Sequence, residues 1–130
     1  MELSSDLSKL IGRFYSVFET GDMVVAREVI SRDERLLLAG TDSGEFGRGP
    51  GEVLRVMEEQ SKQFRTAGMA LVPGDAEAYA EGNVGWIWDR PRFRMPDGSE
   101  IQVRVTAVCR REDGVWRIVH VHASTEPGHQ

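Results

Sequence analysis

The chain has 130 residues, 16 Lys and Arg against 21 Asp and Glu, and 40% hydrophobic residues. That is the length of one domain, 1–130, able to bury about two-thirds of its unfolded surface without disulfide or metal staples, and it excludes two full cores and global disorder. A formal net charge of −5 argues against nucleic acid or an acidic membrane surface as partner, because each needs a dominant basic face.

The predicted elements begin with helices. Leu3, Leu7, Leu10, Ile11, Phe14 and Phe18 recur at spacings of three and four, one apolar stripe that Ser4 or Ser5 can cap and Gly21 can end. Asp22 opens a shorter helix with Val24, Val25, Val29 and Ile30 on its apolar positions. A short buried strand follows over 35–39. Residues 40–51 hold five glycines and read as a loop. Pro50 suits a first helical turn, and Val53, Leu54, Met57, Ser61 and Phe64 mark a third helix closed by Gly68. The second half reads as strands over 69–80, 84–95, 99–111 and 115–124, separated by Glu81-Gly82-Asn83, Pro96-Asp97-Gly98 and Glu112-Asp113-Gly114 as three-residue turns. Pro73-Gly74 breaks the first strand, and Pro91 implies a bulge or an edge in the second. Helices followed by an antiparallel meander is an α+β layout, with the helices packed on one sheet face.

Cys109 is the lone cysteine, so no internal disulfide and no cysteine-based zinc site is expected, and a reducing, cytoplasmic setting follows. No apolar run approaches the ~18 residues of a membrane span, and the acidic, amphipathic start is unlike a signal peptide.

The last hairpin can be registered. With a three-residue loop, one face carries Val103, Val105, Ala107, Cys109, Val119, Val121 and Ala123. The other carries Arg104, Thr106, Val108, Trp116, Ile118, His120 and His122. A two-residue Asp113-Gly114 turn slips this register and mixes the sets; the three-residue loop is preferred because it segregates the small apolar groups. Placing Trp86 and Trp88 with the apolar face puts Asp89 beside Arg104 and the histidines, as an ion pair in a polar network.

The segment DGVWRIVHVHAS (113–124), together with Phe14-Tyr15-Ser16-Val17-Phe18-Glu19-Thr20-Gly21-Asp22 and Gly40-Thr41-Asp42…Arg48-Gly49, resembles the SnoaL-like branch of the nuclear transport factor 2-like superfamily, to which ketosteroid isomerase and the calcium/calmodulin-dependent kinase II association domain also belong. The resemblance spans nearly the whole chain. It implies a cone: three N-terminal helices on a curved antiparallel meander, an internal pocket, and a homodimer formed through the opposite sheet face. Function does not travel with fold. The isomerase's tyrosine before Gly-Asp falls on Phe14, and its catalytic aspartate falls near Leu38, so steroid-type isomerase chemistry is not expected. The pocket arginines of the kinase domain fall on Trp88, Ala107 and Ala123, so an anionic ligand is not expected either.

What remains is an apolar, tryptophan-lined pocket for a small apolar or aromatic molecule. Phe14, Tyr15, Phe18, Met57, Trp86, Trp88, Val105 and Val121 are the expected ligand contacts. Any reaction would be metal-independent proton transfer of cyclase, lyase or isomerase type, with Asp42, Glu45, His120 and His122 as the candidate acids and bases. His120 and His122 have the spacing of a metal pair, but the third ligand falls to Asp89 or His129; the structural reading, a network of Asp89, Arg104, Thr106, His120 and His122, is preferred, with no metal and no cofactor. Gly47-Arg-Gly-Pro-Gly51 is no phosphate cradle, since Glu52 sits in the first helical turn, and Arg90, Arg92 and Arg94 read as solvated edge residues. The rival reading is a non-catalytic homodimeric association domain whose pocket is filled by side chains.

Overall fold

Helix α1 (Ser5–Thr20) is the element around which the others are arranged in the computed structural model, which describes residues 1–125. Ser4 caps it by accepting a hydrogen bond from the Leu7 N–H at 3.2 Å, and Gly21, in the left-handed region at φ 71°, ends it. Leu7, Leu10, Ile11, Phe14, Tyr15, Val17 and Phe18 are buried, the amphipathic stripe read in the sequence with Tyr15 and Val17 added and Leu3 removed, since Leu3 precedes the helix and is exposed. Helix α2 (Met23–Val29) is capped by Asp22, whose Oδ1 accepts from the Val24 and Val25 N–H groups. Helix α3 (Gly49–Ala67) carries Pro50 in its first turn, buries Val53, Met57 and Ser61, and stops at Gly68.

Nine strands form among the described residues: β1 (Glu2–Leu3), β2 (Leu37–Ala39), β3 (Phe46–Arg48), β4 (Ala70–Val72), β5 (Glu77–Glu81), β6 (Val84–Asp89), β7 (Arg92–Arg94), β8 (Glu100–Glu112) and β9 (Val115–Thr125). Their main order is β1-β5-β6-β8-β9-β2-β3, while β7 pairs with the start of β8 and β4 with β7. The sheet is mixed rather than a pure antiparallel meander, because β2 lies parallel to β9, Leu38 opposite Val121. The long intervening chain makes that arrangement reachable, whereas a tight hairpin permits only antiparallel pairing. The glycine-rich stretch read as a loop contains β3, which closes a hairpin onto β2 through Leu38 opposite Gly47. The strand expected over 69–80 divides at Pro73-Gly74 and that over 84–95 at Pro91, where a ladder donor is missing.

Two turns are tighter than expected. Glu81 opposes Val84 and Glu112 opposes Val115, so each loop has two residues, not three. Asp113 (φ 53°) and Gly114 (φ 79°) supply the two positive φ angles of a type I′ turn. The register set by that turn does not persist: Cys109 opposes Ile118, but Val108 opposes His120, and Val119 is absorbed in a bulge. Ile118 and Val121 therefore both face the helices although three positions separate them, which corrects the outward position expected for Ile118. Beyond the bulge, Val103, Val105, Ala107, Val121 and Ala123 share the helix-facing side. Arg104, Thr106, Val108, His120 and His122 share the outer side.

On β6 the expected faces are reversed. Ile87 opposes Ala107 and Asp89 opposes Val105 on the inner side, while Trp86 and Trp88 oppose Val108 and Thr106 outside. Gly85 explains the parity. A Cβ there would stand 2.4 Å from Leu7 Cδ1 and 2.7 Å from the Tyr79 carbonyl oxygen, so the strand approaches α1 too closely for an indole at that point. The Asp89–Arg104 ion pair is thereby ruled out, since the two side chains leave opposite faces of the sheet; Arg104 instead donates to the Thr125 carbonyl at 3.3 Å.

Candidate functional site

Between α1, α3 and the inner sheet face lies a cavity of about 350 Å³, within the range of small-molecule sites. Its aromatic wall is built of phenylalanines. Phe14 and Phe18 meet edge-on at 5.2 Å, Phe18 and Phe64 lie 6.1 Å apart, and Phe64 meets Phe93 edge-on at 5.2 Å. All four line the cavity, with Leu38, Leu71, Val103, Val105 and Val121 completing the apolar surface. The α1 positions follow from helical spacing, and Phe64 belongs to the apolar stripe of α3. Phe93 has no such local signal: it sits between Arg92 and Arg94 on the three-residue strand β7, and only the pairing of β7 with β8 turns it toward the cavity.

The tryptophan lining is corrected by the same register. Trp86 and Trp88 stand on the outer face, where Trp86 packs on Tyr79 at 4.9 Å between ring centroids. Met57 is fully buried in the core and does not line the cavity. Phe14, Tyr15, Phe18, Val105 and Val121 do line it.

The polar groups divide by depth. Thr41, Asp42 and Glu45 on the β2–β3 loop, Gln60 and Gln63 on α3, and Thr125 surround the open side, where they are half-buried or exposed. The Glu45 carboxylate is engaged within its own loop, accepting from the Thr41 N–H at 3.0 Å and the Thr41 hydroxyl at 3.3 Å. Tyr15 is the polar side chain of the inner wall, 4% exposed. Its hydroxyl donates to Asp89 Oδ2 at 2.8 Å, and Asp89, 1% exposed, also accepts from the Gly74 N–H at 3.3 Å and the Arg90 N–H at 2.8 Å. Three donors satisfy a carboxylate that would otherwise be costly to bury. Burial, then the negative charge of Asp89 and the hydrogen bond to it, push the Tyr15 phenol far above its ordinary range, so it stays protonated. No spacing rule joins residues 15 and 89; only the inward parity of β6 brings them together.

The histidines do not reach this site. His120 and His122 stand on the outer face beside Thr106 and Val108, with Leu37 and Ala39 on the neighbouring strand. No group of three His, Cys, Asp or Glu side chains able to hold a metal occurs among the described residues, and His129 lies outside them. Cys109 is buried on the inner side of β8, and burial pushes its thiol up to about 12, so it is a packing residue and not a nucleophile. No helix among the described residues is long and apolar enough to cross a membrane.

Residues 7–127 match the family described as SnoaL-like domain. No curated protein matches the sequence. Among solved structures, a nuclear transport factor 2-like protein of unknown function from Pseudomonas putida superposes with a TM-score of 0.82 at 17% identity, over 99% of this chain and 93% of that one. A candidate ketosteroid isomerase from Shewanella frigidimarina gives 0.75 at 15% identity, over 93% and 96%. A candidate dehydratase from Streptomyces avermitilis gives 0.72 at 17%, over 95% of each chain. At these identities the likeness is one of fold.

Proposed function

The chain belongs to the SnoaL-like domain family, and from that premise we propose that it is a small-molecule-binding domain whose cavity takes an apolar or aromatic molecule. One observation carries the reading: an open cavity of about 350 Å³ walled by four phenylalanines and aliphatic side chains, with polar groups confined to its rim and to Tyr15. Such a surface gains most by burying hydrocarbon, at roughly 25 cal/mol per Å² before the costs of ordering. The candidate isomerase and dehydratase among the fold relatives are consistent with metal-independent proton transfer on such a ligand. In this cavity the candidate groups for exchanging a proton are the rim carboxylates of Asp42 and Glu45, while Tyr15, held protonated against Asp89, is a polar contact. A single, buried cysteine is in keeping with a reducing, cytoplasmic setting.

The test is titration with the neutral fluorophore N-phenyl-1-naphthylamine, in the wild type and in Ala123→Trp, which places an indole in the cavity. Saturable binding lost by at least tenfold in a variant of unchanged circular dichroism supports the pocket. Absence of binding in the wild type, or binding unaffected by the indole, sinks it.

A second reading, self-association through the outer sheet face, is favoured by the side chains there. Trp86 is 37% exposed, and Trp88 and Val108 lie beside it half-buried; aromatic groups of this kind anchor interfaces. Sedimentation of the wild type and Val108→Glu decides the point: a dimer converted to monomer supports association, and a wild-type monomer at tens of micromolar excludes it.

A further inference from the structure

The direction of the Tyr15 hydrogen bond restricts what the cavity can recognise. A phenol has one proton and two lone pairs. The Tyr15 proton is committed to Asp89, whose other contacts are two backbone N–H donors. Asp89 offers no proton in return while it is a carboxylate, so the capacity left to the Tyr15 oxygen is that of an acceptor. Tyr15 lines the cavity and Asp89 stands just behind the wall, as the cross-strand partner of Val105 and two residues before Pro91, both of which line it. The rim agrees in sign. The acidic side chains lining the cavity are those of Asp42 and Glu45, and no Lys, Arg or His lines it among the described residues. A ligand carboxylate or enolate would meet no cation, an acceptor at Tyr15, and at the rim only the neutral donors of Gln60, Gln63 and Thr125 beside two carboxyl groups.

We propose that the cavity selects an apolar molecule carrying a hydroxyl or N–H donor at its buried end, read by the Tyr15 oxygen, and that it rejects ligands whose only polar group is an anion or a bare acceptor. This rests on the small-molecule reading of the same cavity. Asp89 acts through Tyr15 as a positioning residue, orienting the phenol so that its lone pairs and not its proton are presented. Gly74 belongs to the same device: a Cβ there would stand 2.5 Å from Asp89 Oδ1 and 2.7 Å from the Arg90 carbonyl oxygen, displacing the carboxylate that holds the phenol.

The experiment is calorimetric titration at neutral pH with naphthalene, 2-naphthol, 2-methoxynaphthalene and 2-naphthoic acid, which share a ring system and differ in the polar group. The expected result is 2-naphthol bound about tenfold more tightly than its methyl ether, the scale of one unpaired buried polar group, with the acid weakest. In Tyr15→Phe the naphthol-to-ether ratio falls to near one while naphthalene affinity is retained. In Asp89→Asn, where the amide can donate to the phenol oxygen and free the phenol proton, the ratio shifts toward the ether. Equal wild-type binding of naphthol and ether, or tightest binding of the acid, overturns the donor selection while leaving the pocket standing. Failure of all four to bind overturns the pocket reading, and this inference with it.

Discussion

Tyr15, Asp89 and Gly85 show how single side chains constrain the site. Tyr15→Phe leaves Asp89 buried with two donors in place of three, so a loss of about 1.5–3 kcal/mol is expected in urea unfolding, as for hydrogen bonds to charged groups. An unchanged midpoint would mean that water reaches the carboxylate. Gly85→Ala brings a methyl group against Leu7 and the Tyr79 carbonyl oxygen; because one neighbour is backbone, relief requires β6 to move, and about 1–3 kcal/mol is the expected cost. Neither effect follows from the residue types. Tyrosine, aspartate and glycine are ordinary surface or turn residues until a partner strand or helix lies against them.

At the scale of elements, the β8–β9 ribbon decides which side chains meet the ligand. Its type I′ turn demands positive φ at two positions, which Asp113 and Gly114 provide. Gly114→Ala is expected to lower stability by about 1 kcal/mol, while Asp113→Asn, equally tolerant of that region, should change it little; thermal unfolding of both variants checks the contrast. Inserting one residue into the turn is the sharper test of register. If the bulge at Val119 absorbs the slip, the outer-face histidines remain outside and the 2-naphthol titration is unchanged. Had the turn alone set the register, the same insertion would carry His120 and His122 toward the cavity.

Over the whole molecule, a polar cluster joins the connection after α2 to the β8–β9 end of the sheet. Glu112 accepts from the Ser31 hydroxyl, from the Arg32 N–H at 3.2 Å and from Arg110 at 2.6 Å, while Asp33 engages Arg35 at 3.0 Å and Arg110 at 3.5 Å. Burial opposes ionisation of Glu112, but the hydrogen bonds from Ser31, Arg110 and Arg32 prevail and hold its carboxyl below the ordinary range. The hydrogen bonds of Arg35 do the same for Asp33. Both folded-state values lie below those of the unfolded chain. Their contribution is therefore complete above the ordinary carboxylate range and is lost as pH falls through the folded values. Denaturation midpoints should decline with acidification below about pH 5, and Glu112→Gln should flatten that decline while costing about 1 kcal/mol at neutral pH. An equally steep acid limb in the variant would assign the titration elsewhere.

Local chemistry makes much of the fold legible without reference to any tertiary contact. The caps at Ser4 and Asp22, the stripe through Leu7, Ile11, Phe14 and Phe18, the helix-ending Gly21 and Gly68, and the motif 113–124 each act within a few residues, where propensity and periodicity operate. The α+β order and the family follow from them, as do Phe14, Tyr15 and Phe18 as cavity residues. What tertiary structure alone decided was which alternate face of each strand points inward. The alternation of a strand has two phases of nearly equal local merit. A close approach of Gly85 to Leu7 chose the phase of β6, turning Trp86 and Trp88 out and Asp89 in, and a bulge at Val119 chose that of β9. The Tyr15–Asp89 pair exists because of the first choice, and its partners lie 74 residues apart, beyond the reach of any local rule.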